Sequence, residues 1–314
     1  MKKFLTLFLM LSLIFTAGCG GKEETKKEQL PKITIGLMPD VDSLPFVIAE
    51  ENGYFDDEGL KVQIEMFKSA MDRDAAIQSG NLDGAVSDLL AVAFLRSGGF
   101  PVKVTSSTDG SYQLIAGKNE KAREVKDLVS KDVAVSRNTI IEYVTDEFLF
   151  KNNLKDDSIN KVIIPQIPTR LEMLQNGKLA AATLPEPFAS IAVDKGCHLV
   201  VSSEAIGVNP GVMIFKEDVL KEKEKSVLAM YKAYNRAIEY LNTAPREEYI
   251  NVATEKGGFP PAAKDALKLP KYRKADLPKE EDVNSTVKWL NMKSLVNENY
   301  TYKDFVSDLI KNDK

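Results

Sequence analysis

The chain has 314 residues, 44% of them hydrophobic and 28% charged, with a formal net charge of −4. That length accommodates about two domains, and mild acidity gives no general attraction for nucleic acid or anionic lipid. One histidine and two cysteines, without HExxH, CxxC, Walker or G-x-S-x-G patterns, argue against metal, nucleotide and hydrolase chemistry, and no cofactor is expected.

At the amino end, Lys2 and Lys3 precede an apolar run from Phe4 to Phe15. This is a targeting signal over residues 1–18, too short to span a bilayer comfortably. Thr16-Ala17-Gly18-Cys19 resembles a bacterial lipobox, although Thr16 departs from the aliphatic residue usual there. The resemblance implies a lipid on Cys19 and a chain anchored to the extracytoplasmic face of the cell membrane. Residues 19–31 are charged and aperiodic, a flexible tether with a reach of roughly 20 Å. Cys197 then has no disulfide partner, and it reads as a buried strand residue. Its neighbour His198 points to the opposite strand face, so the two cannot form a nucleophile–base pair.

Ile33, Ile35 and Leu37 alternate with Thr34 and Gly36, the period of a buried strand. Asp42 or Ser43 can cap the next helix, Pro45 suits its first turn, and Gly53 closes it. Strands follow at Val62–Phe67, Leu82–Val86, Pro101–Ser107 and Tyr112–Gly117, with helices starting at Ser69 and Ser87-Asp88. The alternation restarts with strands at Val133–Ser136, Lys161–Ile164, Leu179–Thr183 and Cys197–Val201. Helices are expected after Asn138-Thr139, Pro168 and Pro185. This predicts an α/β chain of two lobes, each a mostly parallel, doubly wound sheet with helices on both faces. Residues 32–117 and 207–314 form lobe 1 and 118–206 lobe 2. Crossings near Ala116–Lys121 and Ser202–Pro210 make a two-strand hinge. A long helix carries Val227, Tyr231, Tyr234, Ile238 and Leu241 on one face, and residues 257–278 carry no readable period.

Pro45–Val62, with its GYFDDEGL block, and the later AIQSGNLDGAVSD resemble the solute-binding proteins of ABC importers for nitrate, sulfonates, taurine and thiamine-type pyrimidines. The resemblance runs from about Ile33 to Phe215. It implies a periplasmic-binding-protein-like fold of type 2, a monomer with no enzymatic activity. Its partners would be a small-molecule solute, an ABC permease and the permease's ATPase.

In such a fold ligands sit where strand carboxyl ends meet helix amino ends. The first lobe offers Asp40, Asp42, Ser43 and Phe46, then Ser87 and Asp88, then Ser106, Ser107, Thr108, Asp109 and Tyr112. The second offers Ser136, Arg137, Asn138 and Thr139. It also offers Glu186 and Phe188, at a turn where the resemblance implies an acidic or aromatic ligand contact. Capping, turn formation and solvent exposure are competing readings for Asp42, Ser43, Asp88, Asp109 and Arg137. Asp40, Asp42, Asp88, Asp109 and Glu186 against Arg137 make an acid-heavy cleft, which favours a thiamine-type pyrimidine or another nitrogenous solute. Phe46, Tyr112 or Phe188 would stack on it. A sulfonate, taurine, nitrate or methionine-like solute is the alternative. A pyrimidine-forming enzyme and a surface sensor are alternatives of other classes.

Overall fold

A computed structural model describes residues 29–311. The expected signal peptide, the lipid site at Cys19 and most of the tether lie outside the described residues. The last tether residues belong to the fold, not to a free linker. Leu30 N–H donates to Gly59 O at 2.9 Å, and Pro31 O accepts the Ser226 hydroxyl at 2.8 Å.

Ten strands form two five-stranded sheets. The strands are β1 Ile33–Leu37, β2 Val62–Met66, β3 Gly84–Asp88, β4 Val102–Ser107, β5 Tyr112–Ala116, β6 Asp132–Val135, β7 Asn160–Ile163, β8 Ala181–Pro185, β9 His198–Ser202 and β10 Gly211–Lys216. The helices before β5 are α1 Leu44–Glu51, α2 Tyr54–Asp57, α3 Ala70–Gln78 and α4 Leu89–Ser97. Those of the second series are α5 Ile140–Lys151, α6 Ile167–Gln175 and α7 Phe188–Asp194. The carboxyl-terminal part adds α8 Glu217–Glu222, α9 Glu224–Leu241, α10 Arg246–Glu255, α11 Ala263–Ala266, α12 Glu280–Met292 and α13 Tyr302–Phe305. No described helix is long and apolar enough to cross a membrane.

The sheets share one topology. The first runs β2-β1-β3-β10-β4 and the second β7-β6-β8-β5-β9. In each, the first three strands are parallel, and the fourth runs antiparallel to both of its neighbours. That antiparallel strand comes from the far side of the chain: β10 returns to the first sheet, and β5 opens the second. The sequence reading put Tyr112–Gly117 in lobe 1. The strand pairs instead with β8 and β9, so the outward connection is residues 108–111 and not Ala116–Lys121. The alternation of a strand fixes which face is buried but not which sheet it joins.

Local chemistry explains the elements around the cleft. Gly53 has φ of +70°, a conformation glycine takes without strain, and it separates α1 from α2. A Cβ on Gly84 would strike Ile214 O and the Phe215 ring, so only glycine lets β3 and β10 approach this closely. The aperiodic stretch after α11 is a strap against the outward connection and the end of β4. Arg273 N–H and Nε donate to Asp109 at 2.6 Å, and Asp276 O accepts Ser107 N–H at 2.7 Å. The α12 helix packs on α4 in the first lobe and also meets α5 in the second.

Candidate functional site

Between the sheets lies a narrow cleft of about 40 Å³, lined from both lobes. Asp40, Asp42, Arg73, Ser87 and Asp88 come from the first lobe, and Tyr112, Ser136, Thr139 and Arg170 from the second. Met38, Val86, Ile140, Ile141, Pro165 and Ile167 complete an apolar wall. The strand carboxyl ends of both parallel runs face this space, as the topology requires.

Two arginines that the sequence reading passed over dominate its electrostatics. Arg73 is the fourth residue of α3, after β2; Arg170 is the fourth residue of α6, after β7. Since β2 and β7 hold the same place in their sheets, the two guanidinium groups are structural counterparts. Their surroundings differ. Arg73 is 4% exposed and pairs with Asp74 at 2.8 Å and Asp88 at 3.8 Å. Arg170 is 1% exposed and, among the described residues, makes no ion pair; Nη1 donates to Ile164 O at 2.8 Å and Pro165 O at 3.1 Å, and Nε finds no partner among them. Where β3 ends in Asp88, β8 ends in Pro185, so the second lobe lacks the matching carboxylate. Burial alone pulls Arg170 down to about 9, still protonated near neutrality.

Two acids stand opposite. Burial lifts Asp40 to about 8, helped by the charge of Asp42, and burial lifts Asp42 to about 6. Asp88 is also raised by burial, with Arg73 opposing. Asp40 Oδ1 accepts Ser43 N–H at 3.0 Å, and Asp42 Oδ2 accepts the Tyr112 hydroxyl at 3.2 Å. An unfolded chain releases such protons near pH 4, so from there to about pH 8 the native state holds more protons. Stability therefore falls as pH rises through that window, by roughly a few kcal/mol. Urea midpoints at pH 5 and 8 measure this, and Asp40→Asn should flatten the slope.

Several sequence candidates lie elsewhere. Phe46 is fully buried with its ring 4.8 Å from that of Tyr234, and Phe188 is core in α7, so neither can stack on a solute. Both follow a loop closely, but the helix turns them inward. The Ser43 hydroxyl accepts Met38 N–H at 3.1 Å and makes no helix-cap bond. Ser106 and Ser107 are bound to the Asp276 carbonyl, and Thr108 N–H donates to Gly211 O at 3.0 Å. Asp109 is spent on Arg273. Arg137 and Asn138 are exposed, and Asn138 N–H donates to Glu142 at 2.7 Å. Glu186 is buried, accepting Gln113 and Ser190. By contrast Asp88 caps α4 through Ala91 N–H at 2.9 Å and still faces the cleft. Ser87 Oγ is buried there without a partner among the described residues.

Among the described residues no group of three or more His, Cys, Asp or Glu could hold a metal ion. A putative ABC transporter periplasmic binding protein from Brachyspira hyodysenteriae is 23% identical over 271 residues, 80% of this chain and 78% of that one. The fold matches the periplasmic aliphatic sulphonate binding protein of Escherichia coli with a TM-score of 0.74 at 15% identity, over 88% of this chain and 92% of that one. It matches the periplasmic nitrate-binding protein of Synechocystis PCC 6803 with a TM-score of 0.72 at 13% identity, over 90% and 88%. The two solved structures share this fold, and all three proteins are named as binding proteins. The NMT1-like family matches residues 26–254, most of the chain, and the protein belongs to that family.

Proposed function

We propose that this chain is the solute-binding component of an ABC importer. It captures a small polar solute between lobes of residues 32–107 with 211–311 and 112–203, which hinge at the two connections. The single observation that carries the reading is the cleft itself, walled by both lobes and holding a buried Arg170 without a carboxylate. Its counterpart Arg73 has one. A buried cation without a partner costs several kcal/mol, and a solute's anionic group supplies what the chain omits. Lobe closure is favoured only by a solute that binds the closed form better.

The solute is therefore a small organic anion, a sulfonate, taurine-like or carboxylate compound, with its anionic end on Arg170. The acid-heavy count that favoured a pyrimidine included Asp109 and Glu186, which are bonded away from the cleft, and lacked both arginines. A nitrogenous solute is the second reading, favoured by Asp40 and Asp42 in the same wall. The likeness to sulphonate- and nitrate-binding proteins supports the first. Membrane attachment through Cys19 and a partnership with a permease and its ATPase complete the proposal.

A thermal-shift screen separates the readings. Ethanesulfonate, taurine and methionine are expected to raise the melting temperature by several degrees at saturation, since a ligand binding only the native state stabilises it by about 2.7 kcal/mol at a hundred times Kd. A shift with the hydroxymethyl aminopyrimidine alone would replace the first reading by the second.

A further inference from the structure

The loop of residues 38–43 touches the cleft, the second lobe and the strap at once. Asp40 lines the cleft. Val41 N–H donates across the lobes to Glu186 O at 3.2 Å, and Val41 O accepts the Tyr272 hydroxyl of the strap at 2.8 Å. Asp42 accepts the hydroxyl of Tyr112, the first residue of β5 in the second lobe. The loop is tied to itself by Ser43, whose N–H reaches Asp40 and whose hydroxyl accepts Met38 N–H. A shift at Asp40 is thus carried to Val41 and Asp42 instead of being absorbed.

The Asp42 carboxylate also sits between the outward connection and the start of β10. A Cβ on Gly110 would collide with both of its oxygens. One on Gly211 would lie 3.0 Å from Asp42 Oδ1 and 2.6 Å from Thr108 Oγ1. Two glycines, one on the outward connection and one opening β10, therefore leave the room this carboxylate occupies. The Thr108 hydroxyl and Gly110 N–H, both on the outward connection, approach this carboxylate and, with Tyr112, favour its charged form.

We infer that Asp42 is a positioning residue, which couples a solute seated beside Asp40 to rotation of the lobes through its bond to Tyr112. Opening swings Tyr112 away from Asp42 and draws Glu186 O from Val41. Closure re-forms both contacts and presses the loop back into the cleft. The inference rests on the solute-binding reading, and its first test uses no solute, so the two fail separately.

Hydrogen exchange of the full chain, followed by mass spectrometry, provides that test. In Tyr112→Phe, amides of residues 38–44 and 108–112 are expected to exchange about tenfold faster, the loss of one bond to a charged group. Amides of α9 that exchange through openings which keep this bond should be unchanged, and the melting temperature should fall by no more than about 2–4 °C. Asp42→Asn alone should give the same local rise, and the double variant no more than either single one. Unchanged exchange in those two segments would overturn the inference. So would an equal rise in α9, which marks an ordinary structural contact. Ethanesulfonate then tests the link to solute: wild-type protein should gain protection at 108–112, and Tyr112→Phe should lose most of that gain. Binding with full protection in the variant would also overturn the coupling.

Discussion

Arg170→Met should leave the empty protein nearly as stable as before and weaken solute capture on the order of a hundredfold. The unchanged stability follows from opposing terms. Methionine relieves a buried cation that has no carboxylate, and burying such a charge costs several kcal/mol. Against that, the carbonyls of Ile164 and Pro165 lose a donor, at about 1–3 kcal/mol each when left unsatisfied. Binding has no such compensation. Losing a desolvated charge-assisted contact costs about 2–5 kcal/mol, on the order of a hundredfold in affinity. Arg170→Lys should fall between, since a point charge replaces a planar fork. Arg73→Met is the control at the matching position, and its result should be the reverse. It strips Asp88 and Asp74 of their partner, leaving carboxylates uncompensated at a cost of roughly 3–5 kcal/mol. Urea unfolding and titration with the stabilising anion measure both variants. Arg170→Met retaining full affinity would remove the anion from the proposal.

The difference between these two arginines also marks what the sequence could and could not disclose. Ile33–Leu37 was legible to the residue, because alternation and full burial coincide there. The two-lobed α/β architecture followed from strands and helices recurring at regular lengths. The assignment of β5 to a sheet did not follow, because pairing is a long-range property and Asp109-Gly110 reads as a plain turn. Arg73 lies in AMDRDAAIQ, a stretch whose charges look solvated. Only the placement of α3 above the cleft turns that side chain inward. One signal was present: Arg73 and Arg170 each follow a strand by one loop and one helical turn, a correspondence visible once the βα units of the lobes are aligned. Ser106, Ser107 and Asp109 misled for the opposite reason. Their partners lie in residues 270–278, where no period announces a strap.

Trp289→Ala should cost about 3–5 kcal/mol and divide a single unfolding transition into two. Trp289 is the chain's only tryptophan, it is buried, and it meets Tyr143 edge to face with ring centroids 5.6 Å apart. It sits on α12, which packs on the first lobe, whereas Tyr143 sits on α5 in the second. The contact is therefore part of what makes the lobes unfold together. Its indole N–H donates to Asp146 at 3.1 Å, a carboxylate with no exposed side-chain surface. Lys161 reaches Asp146 at 2.5 Å and Lys293 reaches it at 3.1 Å, while Glu142 pairs with both lysines and Asp156 with Lys293, three carboxylates against two ammonium groups. Burial pushes Asp146 upward and the two lysines oppose it. Removing that carboxylate as Asp146→Ala leaves the buried indole N–H without its acceptor, while Glu142 and Asp156 still pair with the lysines, at roughly 1–3 kcal/mol. The two losses share one bond, so the double variant should lose less than their sum. Circular dichroism through a urea series reads all three variants, including those without the fluorophore. A single transition with under about 1 kcal/mol lost in Trp289→Ala would mean that α5 and α12 merely touch. Cohesion of the lobes would then rest on the loop 38–43 and the strap, and the hinge would be far looser than this wedge allows.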